Sequence, residues 1–86
     1  MPDLCGHGVG RSIHEEPLVP NHYDPTRRTR LTEGLVIAIE PIITNGSGRS
    51  ALMADRWTIR TADRQLSAHY EHTVVITNDD PLLLTA

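Results

Sequence analysis

The 86-residue chain has no phenylalanine, no lysine, a single cysteine and only three aromatic side chains, Tyr23, Trp57 and Tyr70. With 38% hydrophobic residues and so few rings, little bulk is available for a core, and a chain of this length lies near the low end of what folds alone. One small domain with a modest core and doubtful independent stability is the expectation. The lone Cys5 excludes an internal disulfide and a thiolate zinc knuckle, and fits a reducing compartment. The longest uninterrupted apolar run, Leu35 to Ile39, falls far short of the roughly 20 residues that span a bilayer. Met1 to Cys5 carries neither the basic nor the apolar part of a secretion signal, so no membrane association is expected and the cytoplasm is the default location. Eight arginines face eleven acids, giving a net charge of -3. The nearest basic patch, Arg27 to Arg30, has only Tyr23 nearby, which gives nucleic-acid binding little support.

What is present is mostly β signal. Gly6, Gly8 and Gly10 alternate with His7 and Val9, a pattern too costly for a helix and therefore extended or irregular. Three prolines between Pro17 and Pro25, with the arginine run to Arg30, read as a surface loop. Leu35 to Thr44 lies between Gly34 and the Asn45 to Gly48 turn cluster and is rich in β-branched residues, so it is expected to be a strand with a bend or a bulge at Pro41. Further strands are expected at Trp57 to Thr61, Ala68 to Thr77 and Leu82 to Leu84. The only candidate helix is Arg49 to Asp55. Connections this short favour antiparallel neighbours, and the segment reads as a mostly antiparallel sheet.

Strand alternation puts Glu40 on the face of Val36 and Ala38, pointing inward. A carboxylate there must be neutralised, paired with an arginine or bound to a metal. In the segment Ala68 to Thr73, His69, Glu71 and Thr73 share one face and Tyr70, His72 and Val74 the other; the first face is either a metal shell or the wet side of a sheet. His7, between two glycines, is either open to close approach by a ligand or an ordinary turn histidine.

The run Gly6-His7-Gly8-Val9-Gly10-Arg11-Ser12-Ile13-His14-Glu15-Glu16-Pro17 closely resembles the segment of type I methionine aminopeptidases that carries a metal-binding histidine. Ile39-Glu40-Pro41 is similar to that family's second ligand segment, Asp55-Arg56-Trp57-Thr58 with Thr61-Ala62-Asp63-Arg64 to its hairpin, and Ser67 to Thr73 to its last ligand strand. Prolidases and aminopeptidase P share the first two elements, but their last strand is not built around Tyr-Glu-His-Thr. The resemblance implies an α+β pita-bread fold of two related halves around a dinuclear metal site, with residues 1–86 its C-terminal half. It implies His7 and Glu40 as terminal metal ligands, Glu71 as the bridging carboxylate, His14 as the catalytic histidine that contacts the scissile amide, and Glu40 as acceptor of the water proton. It implies Ile13 and Trp57, with His14, as the substrate contacts around an N-terminal methionine. Ile13 stands where the family usually has Phe, Ile42 where it has Met, and Arg56 where it has a turn glycine; if that glycine takes a positive φ, Arg56 strains the hairpin.

The implied activity is removal of N-terminal methionine from nascent proteins by a metal-activated water, with two divalent ions (Co, Mn, Fe or Zn) in the complete site. Family members draw two further aspartate ligands and another substrate-contacting histidine from an N-terminal half. Asp3 lies too near His7 to replace either aspartate, and His7, Glu40 and Glu71 are too few for two ions. The expectation is therefore a C-terminal part, inactive alone, holding at most one ion weakly and completed by an N-terminal half supplied by a longer gene product or by a separate chain. The alternatives are an inactive truncated remnant and a non-catalytic module that binds a peptide N-terminus.

Overall fold

The structure, a computed structural model, describes residues 4–85; Asp3 lies outside them. Nine short strands form, and no helix occurs among the described residues. They are β1 (Gly6–Gly8), β2 (Glu15–Val19), β3 (Val36–Ile39), β4 (Ile42–Thr44), β5 (Ser50–Leu52), β6 (Ile59–Thr61), β7 (Ser67–His69), β8 (His72–Val75) and β9 (Leu82–Leu83). A five-stranded sheet has the order β2-β1-β3-β8-β9, and β4-β7 and β5-β6 are separate two-stranded sheets. Every pairing is antiparallel, as the short connections require. No helix among the described residues is long and apolar enough to cross a membrane.

Two long segments organise the fold. Residues 36–44 run antiparallel to residues 67–75, and each is interrupted once, the first at Glu40-Pro41 and the second at Tyr70-Glu71. The register is the same on both sides of the interruption, with Ile39 opposite His72 and Ile42 opposite His69. Continued through the gap, it sets Glu40 opposite Glu71 and Pro41 opposite Tyr70. The Tyr70 amide donates to the Pro41 carbonyl at 3.2 Å; the reciprocal bond is impossible because proline has no N–H. That missing donor explains why the ladder breaks here, and why the expected strand from Ala68 to Thr77 is divided into β7 and β8.

Because the register is continuous, side chains alternate without a fault across the break. One face gathers Ile37, Ile39, Pro41, Tyr70, His72, Val74 and Ile76 around an apolar groove of about 430 Å³. The other carries Ala38, Glu40, His69 and Glu71. The core is small: Ile37, Ala38 and Val74 are its buried apolar residues, while Leu31, Ile39, Leu82 and Leu83 remain exposed. The radius of gyration is 14.5 Å, against about 12 Å for a compact domain of this length, because the two-stranded sheets extend outward from the main one.

Two sequence expectations are corrected. Pro17 lies within β2, not in a loop; β2 is an edge strand of the main sheet, where a residue without an N–H is tolerated. Arg49 to Asp55 is not helical: Ser50–Leu52 pairs with β6, since seven residues cannot repay helix nucleation when a strand partner is available. The expected strand at Trp57 begins two residues later, because Asp55 organises the turn before it. Its carboxylate accepts from the Thr58 hydroxyl at 2.6 Å and from the Trp57 and Thr58 amides at 3.0 and 2.9 Å, and these bonds, led by the hydroxyl, hold the carboxyl below its usual range.

Arg56 in that turn has φ 58°, the left-handed region that costs a residue bearing a Cβ about 1–2 kcal/mol. Glycine adds backbone entropy to the unfolded state and offsets about half of this gain. Arg56→Gly is therefore expected to stabilise the chain by up to about 1 kcal/mol, seen as a higher urea midpoint; an unchanged or lower midpoint would show that the turn bears no such strain.

Candidate metal centre

The polar face of the central ladder concentrates three metal-binding side chains. His7, at the middle of β1, is registered opposite Ala38 on β3, and the small Ala38 side chain leaves room above it. Glu40 follows β3 by one residue and Glu71 precedes β8 by one. One ligand atom from each of His7, Glu40 and Glu71 lies within 4.8 Å of the other two. A first-row ion holds N and O donors at about 2.0–2.2 Å, so donors this near one another can be drawn onto a single ion by small side-chain shifts.

Local chemistry orients the first two donors. His7 Nδ1 lies 2.8 Å from the Gly8 carbonyl; a carbonyl only accepts, so Nδ1 carries the proton and Nε2 presents its lone pair. Nε2 faces Glu40 Oε2 at 3.7 Å. The Asn21 amide donates to the Leu4 carbonyl at 3.0 Å and the Glu40 carbonyl at 3.3 Å, tying the approach to β1 to the break in the ladder. Asn21 lies in the segment read from sequence as a plain surface loop, and nothing in its neighbours signals this contact.

Electrostatically, the centre lacks positive charge. The Glu40 side chain is only 17% exposed. Burial, and then the facing Glu71 through its charge and a hydrogen bond, raise the Glu40 carboxyl above the ordinary 4.5, while His7 and His69 pull the other way. The arginine partner considered for Glu40 does not occur among the described residues; the side chain facing it is the His7 imidazole. Two carboxylates directly opposite in an antiparallel ladder repel, and an imidazole lone pair completes a donor set suited to a divalent first-row cation. The residues present therefore fit a metal.

The other candidates lie at varied distances from this cluster. The His14 ring, in the loop between β1 and β2, packs edge-on against the His7 ring with centroids 4.3 Å apart. Ile13 beside it is 74% exposed, and Trp57, at the tip of the β5–β6 hairpin, is 86% exposed. A cavity of about 340 Å³ does reach Glu40, lined by Leu4, Ile42, Ile59, Arg60, Ser67 and His69. Ile59 and Arg60 went unnoticed in the sequence because they neighbour Glu40 only through the folding of the hairpin.

Comparison with known proteins agrees with this architecture. The family model for Metallopeptidase family M24 matches residues 1–78. The chain is 51% identical over 83 residues to a methionine aminopeptidase of Clostridium perfringens, covering 96% of this chain and 33% of that one. It is 46% identical over 80 residues to methionine aminopeptidase 1 of Mycobacterium tuberculosis, covering 93% and 30%. The crystal structure of methionine aminopeptidase from Rickettsia prowazekii superposes with a TM-score of 0.92 at 36% identity, over 100% of this chain and 35% of that one. That from Thermotoga maritima gives 0.92 at 41%, over 99% and 34%. The chain thus spans about a third of the length of these relatives, and its antiparallel strands are part of the pita-bread arrangement expected from the sequence. With the family's pattern running through β1 to β8 and the donor-bearing strands superposing on solved members, the chain belongs to metallopeptidase family M24.

Proposed function

We propose that these residues are the C-terminal part of a methionine aminopeptidase catalytic domain, which removes the N-terminal methionine from nascent proteins in the cytoplasm. The observation that carries this reading is the convergence of His7, Glu40 and Glu71 on one face of the ladder, with His14 edge-on against His7. The named relatives support the substrate class, a peptide or nascent-protein N-terminus beginning with Met.

In this reading His7, through Nε2, together with Glu40 and Glu71 would hold the divalent metal. When bound, such ions supply the Lewis acidity needed for peptide hydrolysis near neutral pH. Glu40 serves as acceptor of the water proton. His14 faces the scissile amide and donates to the developing oxyanion. Ile13 and Trp57 offer apolar surface for the methionine side chain. Three donors under-coordinate two ions, so the remaining ligands come from outside this segment, either a further part of the same protein or a separate N-terminal half. By itself the segment holds one ion weakly and has no aminopeptidase activity.

Two outcomes test the reading. Glu40 is raised above 4.5 in the folded state, so its contribution to stability is full below that value and is lost as pH rises through the folded pKa. Glu40→Gln removes that loss: without metal the variant is expected to melt above the native chain at pH 7 and level with it at pH 4. Saturating cobalt should reverse the order at pH 7, because only the native chain gains binding energy. Equal melting temperatures with and without cobalt would remove Glu40 from the centre.

The second outcome concerns activity in a reconstituted enzyme. Co-expression with an N-terminal half that supplies the aspartate ligands is expected to restore cleavage of Met-Ala-Ser peptides. There, His14→Ala should lower kcat on the order of 10²-fold while leaving the metal content unchanged, whereas Glu71→Ala should remove metal and activity together. Full activity in the His14 variant would refute its catalytic role.

A further inference from the structure

The three donors differ in how they are held. A carbonyl fixes the His7 ring, and Glu40 is largely enclosed, its backbone tied by Asn21. Glu71 has neither advantage: its side chain is 46% exposed, and the side chain facing it from outside the donor set is His69, with Nε2 3.9 Å from Glu71 Oε2.

The placement follows from strand geometry. His69 ends β7 and Glu71 comes two residues later, so both project from the same face across the break. His69 is registered opposite Ile42, one diagonal step from Glu40, and shares the 340 Å³ cavity with it. No hydrogen bond engages the His69 ring among the described residues. His69 also stands outside the group whose ligand atoms are mutually within 4.8 Å, so it faces the centre through Glu71.

We propose that His69 is a positioning residue for Glu71, its Nε2–H holding the outer carboxylate oxygen so that the inner oxygen is presented to the metal. This rests on the reading of His7, Glu40 and Glu71 as a metal centre. Partners of this kind lock the rotamer of a ligating carboxylate, and their loss typically weakens metal binding about 10- to 100-fold. The imidazole also sets a donor beside the facing carboxylates, which otherwise push each other apart. Ligation by Glu71 then depends less on the ordering of an exposed, flexible side chain.

The test is a cobalt(II) titration of the full chain, followed by calorimetry and by the visible ligand-field bands. His69→Ala is expected to raise the Kd about 10- to 100-fold with unchanged bands at saturation. His69→Gln, which keeps an N–H at similar reach, should bind like the native chain, while His69→Asn, one methylene shorter, should bind like the alanine variant. Because His69 is exposed, far-UV circular dichroism of all variants should overlay the native spectrum, and His22→Ala serves as a remote control. A native Kd in His69→Ala overturns the proposal. A weak His69→Gln with altered bands also overturns it, because the ring is then itself a ligand. Cobalt binding that is insensitive to Glu71→Ala sinks the metal-centre reading as a whole, whereas sensitivity to Glu71→Ala without sensitivity to His69→Ala sinks only the role of His69.

Discussion

Two glutamates directly opposite each other in an antiparallel ladder are an unfavourable pair, and here the alternation of bonded positions brings them close. Pro41 and Tyr70 occupy a hydrogen-bonded position of the ladder, so Glu40 and Glu71 beside them fall on a non-hydrogen-bonded one, where cross-strand side chains approach most nearly. Burial of Glu40 sharpens the conflict. Around the pair stand an imidazole on the neighbouring strand, the small Ala38 and, on the solvent side, His69; a divalent cation held there would relieve the conflict.

The backbone contributes as much as the side chains. Gly6 and Gly8 flank His7, and a Cβ at either would collide with backbone, at Ala38 for Gly6 and at Glu16 for Gly8. β1 can therefore lie tightly between β2 and β3, which sets the depth at which the His7 ring stands over the ladder. Asn21 joins the carbonyls of Leu4 and Glu40, so the histidine strand and the carboxylate break are fixed relative to each other.

Local pattern made some of this legible and left other parts hidden. The alternation in Leu35 to Thr44 gave extended backbone disturbed at Pro41 and the face of Glu40, because period-two patterning depends only on neighbours in sequence, but the single strand expected there is divided into β3 and β4. The break at Tyr70-Glu71 was hidden, since its cause is a proline on the opposite strand. Pro17 misled for the converse reason: whether proline disrupts a strand depends on whether the strand lies at an edge, which is a property of the assembled sheet. Arg49 to Asp55 read as helical because its pairing partner lies seven or more residues away. The individual metal-binding candidates stood out by residue type and by family resemblance, but the register that brings Glu40 opposite Glu71, and the route from His69 to the centre through Glu71, exist only once the strands pair.

The unbroken register across two sheets also acts as a check on assembly. Sliding residues 67–75 by a single position against residues 36–44 would exchange the two faces of the moving strand: Glu71 would enter the apolar groove, and Tyr70 or His72 would take its position beside Glu40. Such a misaligned ladder would part Glu71 from Glu40 and bury an uncompensated charge in the same event. The correct alignment is thus the only one of its immediate neighbours that satisfies both faces, and an ion captured between the strands would hold them against slipping, as a pin holds two rulers at a chosen mark.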